Sequence, residues 1–195
     1  MINWHTAFLS VVLITLTACS TAVTTSNEYL LMDVSSYKKE GNTTAVVSVQ
    51  LMPIVVANYL GGNEIVLVSK QGEVHRSQSN LWAEPLAQQL TRLTQQHLEK
   101  TLPKVTWFGR QRLPTEAISQ LSLEVDTFYA DLDGIVHISG RWHLISSIGE
   151  TIIIDTFQIQ DTLLSDGYPT MVKTLAKNWF ENVIDPMSEH LAETW

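Results

Sequence analysis

Apolar positions recur along this chain with two distinct periods. Leu121, Leu123 and Val125 alternate with Ser122, Glu124 and Asp126. After a turn at Asp131 to Gly134, Val136, Ile138, Gly140, Trp142 and Leu144 alternate with His137, Ser139, Arg141 and His143. A second turn, Ser146 to Glu150, leads to a third run from Thr151 to Gln160. Period two in successive runs predicts an antiparallel meander with one buried and one wetter face. The second period is helical. Leu86, Leu90, Leu93, His97 or Leu98, and Thr101 or Leu102 form one stripe, with Gln88, Arg92, Gln95, Gln96 and Glu99 off it. Asn80 to Leu86 opens this helix with Pro85 in its first turn, and Pro103 ends it. Met171, Val172, Leu175, Trp179, Phe180, Val183, Ile184 and Met187 form the stripe of a final helix. Ser165-Asp166-Gly167 precedes it, Pro169 sits in its first turn, and Pro186 is expected to kink or end it.

Shorter strands are predicted at Tyr29 to Val34, Ala45 to Leu51 and Val105 to Phe108. Lys38 to Thr43 reads as a loop, and Pro53 breaks the second strand. Glu64 to Ser69 and Glu73 to Ser77 flank Gln71-Gly72 as a hairpin. The order is strands, helix, strands, helix. It predicts an α+β domain: an antiparallel, in part mixed, sheet with two long amphipathic helices packed on one face.

The N-terminus has a different pattern. Ala7 to Ala18 is an apolar run of about a dozen residues, while a membrane-spanning helix needs about twenty. It ends in Leu16-Thr17-Ala18-Cys19, which resembles a bacterial lipobox, and Cys19 is the sole cysteine. A short apolar core followed by small residues has the form of a secretory signal. Residues 1–18 are thus expected to be a lipoprotein signal peptide and 19–28 a lipidated tether, rich in Ser and Thr. Residues 29–195 are then a single domain, long enough for a real core. Each buried methylene contributes about 0.8 kcal/mol, so two or three acyl chains on Cys19 hold the protein at a membrane. In Gram-negative lipoproteins, the residue after the cysteine helps select the membrane. Ser20 is not the aspartate of inner-membrane retention, which implies the periplasmic face of the outer membrane.

Charge narrows the function classes. The net charge of −8 lies wholly in the part after Ala18, with no basic run, which argues against nucleic-acid binding. With Cys19 acylated, no disulfide or cysteine-based metal site forms. Catalytic signals are weak. His137 and His143 share a strand face but stand roughly 20 Å apart, too far to hold one metal. Asp126, Asp131 and Asp133 cluster at a turn without a calcium-loop pattern. No GxSxG, HExxH or P-loop occurs. The expectation is a protein that is not an enzyme, with no cofactor and no metal.

Two apolar features remain open. Pro53 to Leu60 lies between a strand and the Gly61-Gly62-Asn63 turn, and is either a buried connection or a partner-facing or lipid-facing patch. Trp82, before the helix, either staples that helix to the sheet or faces outward. The same stretch carries a family resemblance. Pro53, Val56, Tyr59 and Leu60, then Ile65-Val66, then Trp82-Ala83-Glu84-Pro85-Leu86, with Tyr29-Leu30-Leu31 and the lipobox upstream, resemble the PqiC-like auxiliary lipoproteins of MCE-type transport systems. Family members usually carry basic or aspartate-containing residues where this chain has Gly61-Gly62-Asn63.

The resemblance implies an outer-membrane lipoprotein that docks or caps an MCE-domain protein crossing the periplasm, and that supports membrane integrity. It implies partners in the inner-membrane transport components, and leaves self-association into a homo-oligomer open. Val55, Val56, Tyr59, Leu60 and Trp82 are the expected partner-binding residues. The rival is a lipid-carrier or assembly lipoprotein of the LolB or LptE kind, holding lipid in its own cavity. A periplasmic hydrolase is the third class. The lipobox yields the first prediction. Cys19→Ser is expected to move the protein from the membrane fraction to the soluble fraction on envelope fractionation, and unchanged fractionation contradicts the lipobox reading.

Overall fold

The computed structural model describes residues 25–33, 47–109 and 118–195. Cys19, the signal peptide, most of the tether, the Lys38 to Thr43 loop and the start of the second predicted strand lie outside them. Among the described residues, the strands form one mixed sheet of nine. Its spine is β7 (Ser119–Asp131), which pairs antiparallel with β8 (Ile135–Ile145), itself antiparallel to β9 (Thr151–Thr162). This is the predicted meander. Along its other edge β7 pairs in parallel with three successive pieces: β2 (Val47–Leu51), β3 (Val55–Val56) and β4 (Glu64–Val68). β4 forms the predicted hairpin with β5 (Val74–Trp82), around Gly72 at φ 85°. The three-residue β1 (Asn27–Tyr29) runs parallel to the end of β5, and β6 (Val105–Phe108) parallel to β2.

The parallel pairings were not visible in the pattern, because alternation fixes a strand's faces and not its neighbours. They also correct the first element. The described part of the predicted Tyr29 to Val34 strand, up to Asp33, does not continue as one: β1 ends at Tyr29, and Leu31 is buried beyond it. Asn80 to Trp82 are likewise the end of β5 and not the opening of the helix. Helix α1 (Leu86–Thr101) starts only after Pro85, whose carbonyl accepts the Gln88 amide at 2.9 Å.

The C-terminal helical segment runs through Pro186 without stopping. Helix α2 (Tyr168–Asn178) passes into a π-helical turn, Trp179–Ile184, and then into α3 (Asp185–Ala192). A proline inside an α-helix clashes with the carbonyl four residues back. Here the register widens first, and the Asp185 amide donates to the Phe180 carbonyl, five residues back. All eight predicted stripe residues are buried.

The core is aromatic at its centre. Trp179 meets Phe128 edge-on at 6.1 Å and Phe157 at 5.9 Å between ring centroids, and its indole N–H donates to Thr94 Oγ1 of α1 at 3.0 Å. Phe157 owes its position to Gly140, its cross-strand partner. A Cβ at Gly140 would collide with the Glu124 carbonyl oxygen and lie 2.7 Å from the Phe157 ring. Gly140→Ala is therefore expected to cost about 3 kcal/mol in urea unfolding, since backbone and ring must both move. Gly149→Ala, at φ 86° with open space around it, is expected to cost about 1 kcal/mol through backbone strain alone.

Candidate docking face and N-terminal clasp

One residue of slippage determines what the Pro53 to Leu60 segment presents. Leu51 pairs with Leu121, but Val55, four residues on, pairs with Glu124, three residues on. The extra residue sits around Pro53, which cannot donate to the ladder. Such a slip exchanges the two faces of the strand. Ile54 is therefore buried, its amide donating to Thr91 Oγ1 of α1 at 2.9 Å. Val55 turns to the opposite face and is 61% exposed. There it stands in a row with Glu124, Arg141 and Thr156, its successive partners across β7, β8 and β9. Arg141 Nε donates to Glu124 Oε2 at 2.9 Å, and that contact raises the pKa of the guanidinium further.

Tyr59 lies on the same face. The short 3₁₀ turn Asn58–Leu60 sets its ring against Tyr129, 6.4 Å away, and its hydroxyl donates to the Asp126 carbonyl at 2.9 Å. Partial burial, with Tyr129 and Asp126 nearby, pushes the phenol up from 10.0 to about 12. The neutral phenol is thus the form that the fold favours. Its contribution is fully present below pH 10 and is lost as pH rises through about 12. Tyr129 in turn lies 5.2 Å from the His137 ring, and His137 Nε2 is 3.0 Å from Asp131 Oδ2. Burial pushes the Asp131 carboxyl up. The contact with His137 and the amides of Ile135 and Asp133 outweigh it and hold it below the usual carboxylate range. His137 is a paired histidine and Asp131 organises a turn, as their positions in the sequence suggested.

The other expected contact residues point inward. Leu60 is 3% exposed and Trp82 4%, with Trp82 6.5 Å from Phe128 between centroids. Trp82 packs the end of β5 into the core and lies behind the surface. Val56 is half-buried, paired with the buried Val125. The patch open to a partner is thus centred on Val55 and Tyr59, with Tyr129 and the Glu124–Arg141 pair around it. Beside it, on the other side of Pro53 and Ile54, an open groove of about 840 Å³ runs along α1, lined mainly by polar residues including Gln88, Thr91, Arg92 and Gln95.

A second construction went unread in the sequence. His97 of α1 is fully buried, with Nδ1 3.1 Å from Asp33 Oδ2 and Nε2 2.6 Å from Asp185 Oδ1. Its ring stacks on Phe180 at 5.0 Å, and Lys100 Nζ donates to Asp33 Oδ2 at 3.2 Å. Each ring nitrogen thus has a carboxylate oxygen within hydrogen-bonding distance. Further along α1, Gln89 accepts the Leu31 amide at 2.8 Å and donates to the Glu84 carbonyl at 2.7 Å. Buried polar residues of α1 thus clasp the strap at residues 29–33, on the side of the chain that leads to Cys19. The signal was faint: His97 and Gln89 sit among the apolar stripe positions and look like lapses in it. Among the described residues, no group of three His, Cys, Asp or Glu side chains is placed to hold a metal. None of their helices is long and apolar enough to cross a membrane.

Residues 29–183 match the family model of the ABC-type transport auxiliary lipoprotein component. The chain belongs to that family. It is 30% identical over 164 residues to the intermembrane transport lipoprotein PqiC of Escherichia coli K12, covering 84% of this chain and 86% of PqiC. The PqiC of Shigella flexneri matches equally. A crystal structure of an uncharacterized protein, 27% identical, superposes with a TM-score of 0.71 over 86% of this chain and 99% of its own. A Xanthomonas campestris protein shares the fold at 13% identity, with a TM-score of 0.66 over 87% of this chain and all of its own. The expected PqiC-like membership therefore holds, and with it a role as a transport auxiliary lipoprotein of the envelope. A family of transport auxiliaries supports a non-enzymatic role.

The clasp is testable by stability. His97→Ala leaves two carboxylates facing an emptied site and is expected to cost about 3–5 kcal/mol in urea unfolding. The Leu31 amide is also expected to exchange faster with deuterium. A loss under about 1 kcal/mol contradicts the clasp.

Proposed function

We propose that this chain is the outer-membrane lipoprotein of an MCE-type intermembrane lipid transport system, and that it docks the periplasm-spanning component through the Val55–Tyr59 face. Lipid tails cost about 0.8 kcal/mol per methylene in water, so their route between membranes must be covered. An anchored domain that receives the end of such a conduit keeps the route closed and supports membrane integrity. Cys19 supplies the anchor, and Ser20 favours the outer membrane as its site.

The observation that carries the docking face is the slip at Pro53. It turns one valine outward in a segment whose neighbours Ile54 and Leu60 are buried. Exposing Val55 serves no packing purpose, and with the half-exposed Tyr59 and Tyr129 further along the same face and the Glu124–Arg141 pair in its own row it gives that face apolar, aromatic and charged groups, the make-up of an interface. The centre of the domain is filled by Trp179, Phe128, Phe157 and Trp82. A core packed in this way favours docking over a carrier that holds lipid inside itself.

Val55→Asp with Tyr59→Ala is expected to weaken recovery of the MCE-domain protein from detergent-solubilised membranes by about tenfold. The folded domain is expected to keep its circular dichroism spectrum, and a membrane-barrier defect is expected to follow. Undiminished recovery and an intact barrier contradict this docking face.

A further inference from the structure

Among the described residues, strand β9 has a neighbour on one side only: β8. The Leu163 amide donates to Gly134 at 2.8 Å, which places the odd-numbered β9 residues in hydrogen-bonded pairs with β8. The amides of Ile154, Thr156, Gln158, Gln160 and Thr162 then face outward. Two of them are shielded, since Thr156 and Thr162 each donate to the carboxylate of the preceding aspartate. Ile154, Gln158 and Gln160 are not shielded in this way among the described contacts.

Natural edge strands are protected by lysines, prolines, bulges or brevity. This edge has twelve residues and contains no lysine, arginine or proline. It carries exposed apolar side chains instead: Ile154 at 68%, Ile152 at 44%, and Ile148 and Leu164 at its two ends. From Glu150 to Asp166 the charges are Glu150, Asp155, Asp161 and Asp166, all acidic. Of these, Asp155 lies 3.8 Å from His190 of α3, and Asp161 accepts a hydrogen bond from Asn178. Charge complementarity therefore disfavours a second copy of this −8 chain, which would set four acids against four.

We infer that the free edge of β9 receives an extended segment of a partner protein, one in which apolar residues alternate with lysine or arginine. The segment adds as a further strand, giving its backbone to Ile154, Gln158 and Gln160, its apolar side chains to Ile152 and Ile154, and its cations to the flanking acids. This surface lies three strands from Val55 and goes beyond the docking face proposed above, so each stands or falls alone.

The test uses the full-length lipoprotein in detergent micelles and a short synthetic peptide of alternating valine and lysine. A second peptide of the same sequence has its alternate amides N-methylated, which keeps the charge and removes the ladder. The first peptide is expected to bind about tenfold more tightly than the second and to protect the amides of Ile154, Gln158 and Gln160 from exchange. Ile154→Lys, at an exposed position, is expected to lower that affinity about tenfold with the fold intact, whereas Val55→Asp leaves it unchanged. Equal binding of the two peptides shows attraction by charge alone and overturns the inference. So does protection of these amides that rises with protein concentration in the absence of peptide, since a second copy then holds the edge.

Discussion

The parallel pairing of residues 47–68 against one edge of β7 fixes both the interior and the surface of this domain. β7 buries Leu121, Leu123 and Val125, shifts phase at a bulge before Thr127, and then buries Phe128 and Ala130, so whatever lies beside it inherits a choice of face at each residue. The flanking segment is not one strand but three, and the two interruptions change its phase. At Pro53 the phase shifts by one residue, Ile54 goes in and Val55 comes out. At the 3₁₀ turn Tyr59 is set on Tyr129, Leu60 is buried, and β4 rejoins β7 at Leu67 and Ala130. An uninterrupted strand would bury Val55 and bring Pro53 into the ladder. The exposure of Val55, on which the proposed docking face rests, is thus a by-product of register, held by the same hydrogen bonds that hold the sheet.

The opposite side depends on polar contacts in an apolar setting. The π-helical turn that accommodates Pro186 also sets Asp185 at the head of α3, where it reaches His97. His97 joins that helix to Asp33 of the N-terminal strap, and Trp179 joins the same turn to Thr94 of α1. Buried polar networks of this kind are costly when half-satisfied and specific when complete. Here they hold Leu31 and Asp33, just after β1, against α1.

The meander β7–β9, the β4–β5 hairpin, α1 and the C-terminal stripe were legible because each is a local pattern with a turn or proline at its ends. The family was legible in the Pro53 to Leu86 residues and the lipobox. What could not be read was non-local. Alternation says nothing of whether β2 lies parallel to β7, and no propensity marks a slip of one residue. Trp82 looked like part of a helix start because Pro85 follows it. It belongs to a strand because β4 and the short β1 flank it. His97 was read only as a stripe position, in alternation with Leu98, because its two carboxylates lie far away in the chain, at positions 33 and 185.

The central claim is that the Val55 face meets the transport partner in the intact envelope. A photo-crosslinking amino acid placed at Val55 in living cells addresses it directly, with Lys173, exposed on α2, as the control position. The account predicts an adduct between the Val55 position and the MCE-domain protein, and none from Lys173. An adduct from Lys173 with none from Val55 would place the partner elsewhere on the domain and contradict the account.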